Sequence, residues 1–263
     1  MTAAQKSVED QAVELAYPDL GGPVVILCEH ASNRFPAAFG TLGLDPSNLD
    51  GHIAWDPGAR AVGIGLARAL DAPFVASTVS RLVYDCNRPP EHPGAMPVRS
   101  EKTDIPGNRD LSAVQRQARV DQVYTPFHDL VEQVIADRLA AGHPTAIVTI
   151  HSFTPVYFDT HRDVEIGILH DDDSALADAM LANAPRLPHR RVARNQPYGP
   201  EDGVTHSLKL HGLANGLPNV MIEIRNDLLT SPAREEGMTR EILDLLRPAL
   251  TTIGVSRLGR PHA

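Results

Sequence analysis

Three polar groups stand against apolar runs in this sequence, at places where a ligand site is expected. Glu29-His30 follows Val24–Cys28 (VVILC), His151-Ser152 follows residues 146–150 (AIVTI), and Glu223, with Arg225 just beyond, interrupts residues 220–224 (VMIEI). If these runs are strands of a largely parallel sheet, their carboxyl ends border the crevice in which such sheets bind ligands. One histidine after a strand is most simply a hydrogen-bonded structural residue. Two histidines with a carboxylate inside a third strand point to a shared site, because an isolated buried carboxylate needs a cation, a metal or a displaced pKa. Two histidines and a carboxylate also form a three-ligand set that leaves a fourth zinc position open to water. With only two cysteines in the chain, Cys28 and Cys86, a metal would have to be held by nitrogen and oxygen.

The carboxylate of that set has two candidates. Asp56, in Trp55-Asp56-Pro57-Gly58, reads equally as a helix cap before a proline and as a ligand facing the strand ends. Glu29 competes for the same role, but successive strand residues point to opposite faces, so Glu29 and His30 can share one ion only if the chain turns there. Residues 80–90 (SRLVYDCNRPP) form a further polar cluster. Arg81, Asn87 and Arg88 supply fork-shaped donors suited to a carboxylate, with Asp85 expected to engage one arginine as a structural pair.

Other chemistries are poorly served. Cys28 ends an apolar run and reads as a small buried hydrophobe rather than a thiolate nucleophile. Neither Ser32 nor Ser152 sits in a Gly-x-Ser-x-Gly turn, and the chain has no P-loop, Gly-x-Gly-x-x-Gly or Cys-x-x-Cys signature. The formal charge of −9, from 24 Lys and Arg against 33 Asp and Glu, argues against nucleic-acid or anionic-membrane partners.

The elements that must position these residues follow from periodicity. Short apolar runs alternate with amphipathic stretches, the pattern of a single α/β domain with a mainly parallel or mixed central sheet flanked by helices. The 263 residues suffice for one large core, expected over about residues 22–250, with no linker or repeat. Strands are predicted at Val24–Cys28, Phe74–Ser77, 82–85, 146–150, 165–169 and 220–224. A helix starts after Asp56-Pro57, a second runs from Ser112 toward Ala141 with a kink or break at Pro126, and a third covers about 234–250. Residues 91–110 and 195–216 read as loops, the second carrying His206 and His211, which are expected to line the site, a structural role being the alternative. His52 and His128 receive no role. The first ten residues lack the pattern of a signal peptide and no run is long enough to span a membrane, so a cytoplasmic protein is expected. No sequence feature sets an oligomeric state.

Taken in order, residues 29–33 (EHASN), 55–59 (WDPGA), 80–90, 124–128 (YTPFH) and 150–153 (IHSF), the stretch from Thr205-His206 to His211-Gly212, and residues 222–225 (IEIR) resemble the N-formylglutamate amidohydrolase family. The resemblance runs from about Val24 to Asp227. More distantly, residues 150–153 and 222–227 are similar to the strand ends of zinc carboxypeptidases that supply a histidine ligand and the catalytic glutamate, and Asn87-Arg88 resembles their carboxylate-binding pair. Their His-x-x-Glu is missing, since Asn33 stands three residues after His30.

The resemblance implies a zinc-exopeptidase-like (phosphorylase/hydrolase-like) architecture and hydrolysis of N-formyl-L-glutamate to formate and glutamate, a step in histidine breakdown. It implies one divalent metal, zinc by preference, on His30, Asp56 and His151, with Glu29 as the alternative to Asp56. Glu223 would be the general base. Arg88, helped by Asn87 and Arg81, would clamp a substrate carboxylate, and Arg225 would pair with Glu223 or with the second carboxylate. Such a small anionic N-acyl amino acid calls for a locally positive cleft in an acidic chain. The same residues would serve an amidohydrolase or carboxypeptidase-like enzyme for another N-acyl amino acid or a short peptide, a non-catalytic binding protein on the same fold, or a thiol hydrolase using Cys28.

Overall fold

The computed structural model describes residues 11–255, so the N-terminal decapeptide read for a leader lies outside the described residues. Seven strands form one mixed sheet: β1 (Val13–Ala16), β2 (Val24–Cys28), β3 (Phe74–Ser77), β4 (Ala146–Phe153), β5 (Ile166–Leu169), β6 (Val192–Arg194) and β7 (Asn219–Arg225). Their spatial order is β1-β3-β2-β4-β7-β5-β6. The β3, β2, β4 and β7 neighbours are parallel, whereas β1 lies antiparallel on β3 and β5 antiparallel on β7.

Alternation along the strands divides the core into two layers. Val24, Ile26, Val148, Ile150, Val220 and Ile222 face α1 (Ala59–Leu70), a helix over Ala175–Ala182 and the C-terminal helix over Pro232–Thr252. Val25, Leu27, Val75 and Ile147 face the opposite side, where Phe127, Val131 and Ile135 cover them. His151 and Glu223 fall on this second face by the same two-residue period, and they are direct partners in the parallel β4/β7 register. Both lie at strand ends, where the covering helix gives way to loops.

Several expected elements differ. Residues 82–85 form no strand: Val83 and Tyr84 N–H groups both turn back to the Ser80 carbonyl, and the Asp85 N–H donates to Ala95 O. Leu82, Val83 and Tyr84 are buried nonetheless, so an irregular segment in the core mimicked a strand's composition. Strands β1 and β6, both half-buried at or near the sheet edges, lack a strong apolar run and escaped the sequence reading.

The long helical segment continues through Pro126. Ala113–Arg119 and Thr125–Ala140 are α-helical, and a π-helical turn over Val120–Tyr124 lies between them, one residue short of the proline that cannot donate to the helix ladder. Ser112 caps its start, accepting from the Gln115 N–H. Residues 195–216 are more ordered than a loop, with single turns at Pro200–Asp202 and Leu213–Asn215 and a π turn at Leu208–Gly212. Among the described residues, no helix is long and apolar enough to cross a membrane.

Candidate active site

Strand β2 ends at Cys28 and the chain turns at once, so Glu29 and His30 are both buried yet reach different sides of one ring. His30 Nδ1 lies 3.2 Å from His151 Nδ1 and 3.3 Å from Asp56 Oδ2, and His151 Nδ1 lies 2.9 Å from that same oxygen. Three lone-pair atoms thus converge in a small buried triangle. Zinc bonds of about 2.0–2.1 Å in a tetrahedron set ligand atoms roughly 3.3 Å apart, close to this spacing.

The far sides of both rings explain why the near sides are bare. His30 Nε2 is 2.7 Å from Asp85 Oδ1, and His151 Nε2 is 3.2 Å from Glu29 Oε2. Asp85 accepts from His30 Nε2 and so leaves the His30 Nδ1 lone pair pointing inward, the arrangement typical of metal-binding histidines, while behind His151 the Glu29 carboxylate lies at ion-pair distance without hydrogen-bond geometry. Two lone pairs and a carboxylate oxygen in such proximity repel unless a cation sits among them. The donor set therefore fits a divalent metal, with Asp56 rather than Glu29 in the triangle.

Asp56 is not a side-chain helix cap. The N-cap of α1 is Gly58, at φ +80°, where an added Cβ would stand 2.4 Å from the Leu229 side chain. That turn frees the Asp56 carboxylate, whose Oδ2 also accepts the Ser152 N–H at 3.2 Å while Oδ1 accepts from Arg81 Nη1 at 3.3 Å. Burial would raise its pKa, but His30 and His151 outweigh that and hold it well below the ordinary carboxylate range. With no cation at the triangle, Glu29 and Asp56 overcome the burial penalty and hold His151 well above its ordinary value, so a metal would take the place of a proton on Nδ1.

Glu223 behaves oppositely. Burial, reinforced by the Asp56 charge and opposed by His151, pushes it up to about 7, and its Oε2 is buried without a hydrogen-bond partner. A carboxylate poised near neutrality beside a metal-binding triangle is suited to moving a proton. Glu223, the triangle, Arg81 and Arg88 all line one cavity of about 330 Å³.

The arginines divide their work. Arg81 donates to Asp56 and, through Nη2 at 3.3 Å, to Asp85, so it braces the carboxylates of the site while lining the cavity. Arg88 donates through Nη1 to the Gly203 and Asn87 carbonyls, and among the described residues its Nε and Nη2 have no protein acceptor. Asn87 borders the cavity too, but its amide holds the adjacent loop: Nδ2 donates to Val204 O and Oδ1 accepts the Ser207 N–H at 3.1 Å.

Two expectations fail. Arg225 pairs with Asp227 at 2.8 Å and donates to Arg162 O at 3.0 Å, away from the cavity and from Glu223. His206 and His211 do not line the cavity but lie behind it. The Tyr124 hydroxyl is 3.0 Å from His206 Nε2, and His211 Nε2 is 2.7 Å from His128 Nδ1, whose ring donates from Nε2 to Cys86 O at 2.9 Å. Both are loop histidines packed in a layer of aromatic and imidazole rings, His211 buried and His206 half-buried. Glu29, Asp56, Asp85 and Glu223 are all buried around the site, so the locally positive cleft that was expected from arginines and a metal together depends on the cation that the triangle fits. Burial, Asp56 and Glu29 push the Cys28 thiol well up, and Cys28 faces the helical core, so a thiolate has no support.

Tyr157, Tyr198 and Asp202, which the sequence reading passed over, also border the cavity. Only their place in loop-rich stretches after sheet strands could have marked them.

Residues 22–230 match the family model described as N-formylglutamate amidohydrolase. The chain belongs to the N-formylglutamate amidohydrolase family. All members of the triangle, both supporting carboxylates, Arg88 and Glu223 fall inside the matched part, whereas the C-terminal helix lies outside it. Among solved structures, the chain is similar to a gene product of Agrobacterium tumefaciens at 54% identity, with a TM-score of 0.92, over 94% of this chain and 97% of that one. It also shares its fold with N-formylglutamate amidohydrolase from Ralstonia eutropha, at 20% identity and a TM-score of 0.68, over 95% of this chain and 99% of that one. No curated protein matches the sequence. Family membership makes the protein an amidohydrolase, and the buried histidine and aspartate cluster is a site that could hold a metal.

Proposed function

We propose that this amidohydrolase cleaves N-formyl-L-glutamate to formate and L-glutamate, with one divalent ion, zinc by its ligand chemistry, on His30, Asp56 and His151. The observation that carries the reading is the convergence of three bare ligand atoms beside Glu223, a buried carboxylate with an unpartnered oxygen and a pKa near neutrality. Such an ion supplies an acidified water and a Lewis acid for the amide carbonyl.

The chain's own residues do the rest. Asp85 holds His30 in the inward-facing tautomer, the Glu29 charge stands behind His151, and Arg81 fixes Asp56 and Asp85. Arg88 receives a substrate carboxylate with its unengaged donors, setting the amide between the triangle and Glu223. Glu223 takes a proton from the attacking water and delivers it to the leaving nitrogen, so that the C–N bond breaks to give the free amine. On this reading the substrate is a small anion and the enzyme serves histidine breakdown in the cytoplasm.

Metal analysis with a formate-release assay tests the assignment. The wild-type protein should carry about one equivalent of metal and lose turnover to a chelator. His151→Ala should retain little metal, whereas Glu223→Gln should retain it and lose about 10²–10⁴-fold in kcat, the span of general-base catalysis. Full turnover in Glu223→Gln, or in metal-free protein, would overturn the mechanism.

A further inference from the structure

A second cavity, of about 100 Å³, adjoins the first, and the two share Asp56, Arg81, Ser152, Tyr157 and Tyr198 as a common border. Arg88 and Glu223 face only the larger one, while His52, Ser100, Glu101 and Thr154 face only the smaller. Asp56 thus belongs both to the metal-binding triangle and to the shared border, with Arg88 on the first cavity only and the side chamber beyond the border. With the substrate carboxylate at Arg88 and the amide at the triangle, the amino-acid part occupies the first cavity and the acyl carbon points across the shared border.

A formyl group has only hydrogen on that carbon, so it needs no chamber beyond the amide. This one is built. Glu101 is held by His52 Nε2 at 3.0 Å and by the Phe158 N–H at 3.1 Å, and the Ile53 and Phe153 side chains supply apolar wall. At the border, Arg162 Nη1 donates to the Tyr198 hydroxyl at 2.9 Å, which leaves the phenolic proton for another acceptor. The chamber has room for several water-sized groups.

We infer that the side chamber is an acyl subsite, and that the enzyme also hydrolyses N-acyl amino acids whose acyl group is larger than formyl, of about two to four non-hydrogen atoms. This rests on the amide-hydrolase reading above. Water adds to the acyl carbon, the C–N bond breaks, the acyl group leaves as its carboxylate, and the amino acid leaves as the protonated amine.

The test compares N-formyl-, N-acetyl- and N-propionyl-L-glutamate on the metal-loaded full chain, reading free glutamate in every case. The acetyl compound should reach at least one-tenth of the formyl kcat/KM. Two substitutions from different segments, Ser100→Trp and Thr154→Trp, each fill the chamber and should lower the acetyl-to-formyl ratio at least tenfold. An acetyl value below one-tenth of the formyl value, or equal losses on both substrates in the filled variants, overturns the acyl subsite and leaves the deformylase reading standing. Hydrolysis of none of the three overturns both.

Discussion

Asp56 and Glu223 are both buried carboxylates of one site, and their surroundings drive them apart. Asp56 touches two imidazoles and a guanidinium and stays ionised, whereas Glu223 has an unpartnered oxygen and feels the Asp56 charge. A base must be ionised, so kcat/KM should rise with pH through an acid limb set by Glu223. That limb lies at or below about pH 7, because a cation at the triangle favours the charged carboxylate. Removing the side-chain charge with Glu223→Gln should erase the limb from the residual rate. An unchanged limb in that variant would assign it to another group. At this scale the sequence was informative wherever a polar residue interrupted an apolar strand, as at His30, His151 and Glu223. It was uninformative for Arg225 and His206, because which neighbour a flexible or loop-borne side chain meets is decided in part by distant segments such as Arg162 and Tyr124.

The elements matter through their ends. Parallel pairing of β4 and β7 sets His151 beside Glu223, and that much follows from two apolar runs and a two-residue period. The carboxylates behind the histidines come instead from irregular chain: Glu29 from the turn after β2, and Asp85 from the segment after Ser80 that looked like a strand. No periodicity announces such a segment, so the supporting half of the site was legible only as a list of polar residues. Its contribution is measurable. Asp85→Asn and Glu29→Gln remove the charge that orients each imidazole while keeping the side chain's size, and each should weaken metal affinity by about 10–100-fold. Competition with a chromogenic chelator reads this directly. Wild-type affinity in both variants would mean that the rings are held by packing alone.

For the whole molecule, the same layered architecture that exposes one end of the sheet also seals a second set of ionisable groups away from it. His128 and His211 are buried against each other at 2.7 Å, with the His211 Nδ1 unpartnered, in the layer between the long helix and the loop that closes the site. Burial lowers both, His128 to about 3 with added repulsion from His211 and His206, and His211 to about 4 with Glu29 opposing the shift and His206 adding to it. Above about pH 6.5 both are neutral whether the chain is folded or unfolded, so they add no pH dependence there. As pH falls from about 6.5 toward 4, the unfolded chain takes up protons that the folded chain refuses, and stability falls. At about 1.4 kcal/mol per pKa unit the pair is worth several kcal/mol by the bottom of that window. Glu223 has the opposite sign, since its raised folded pKa favours the folded state as pH drops from about 7, and it partly offsets the loss. The imidazole contribution is therefore isolated as a difference. Urea unfolding of metal-loaded wild type and His211→Gln, from pH 7.5 to 4.5, should show wild type losing stability more steeply below about pH 6.5. Parallel slopes would mean that the pair opens to solvent in the folded state and takes up its protons there.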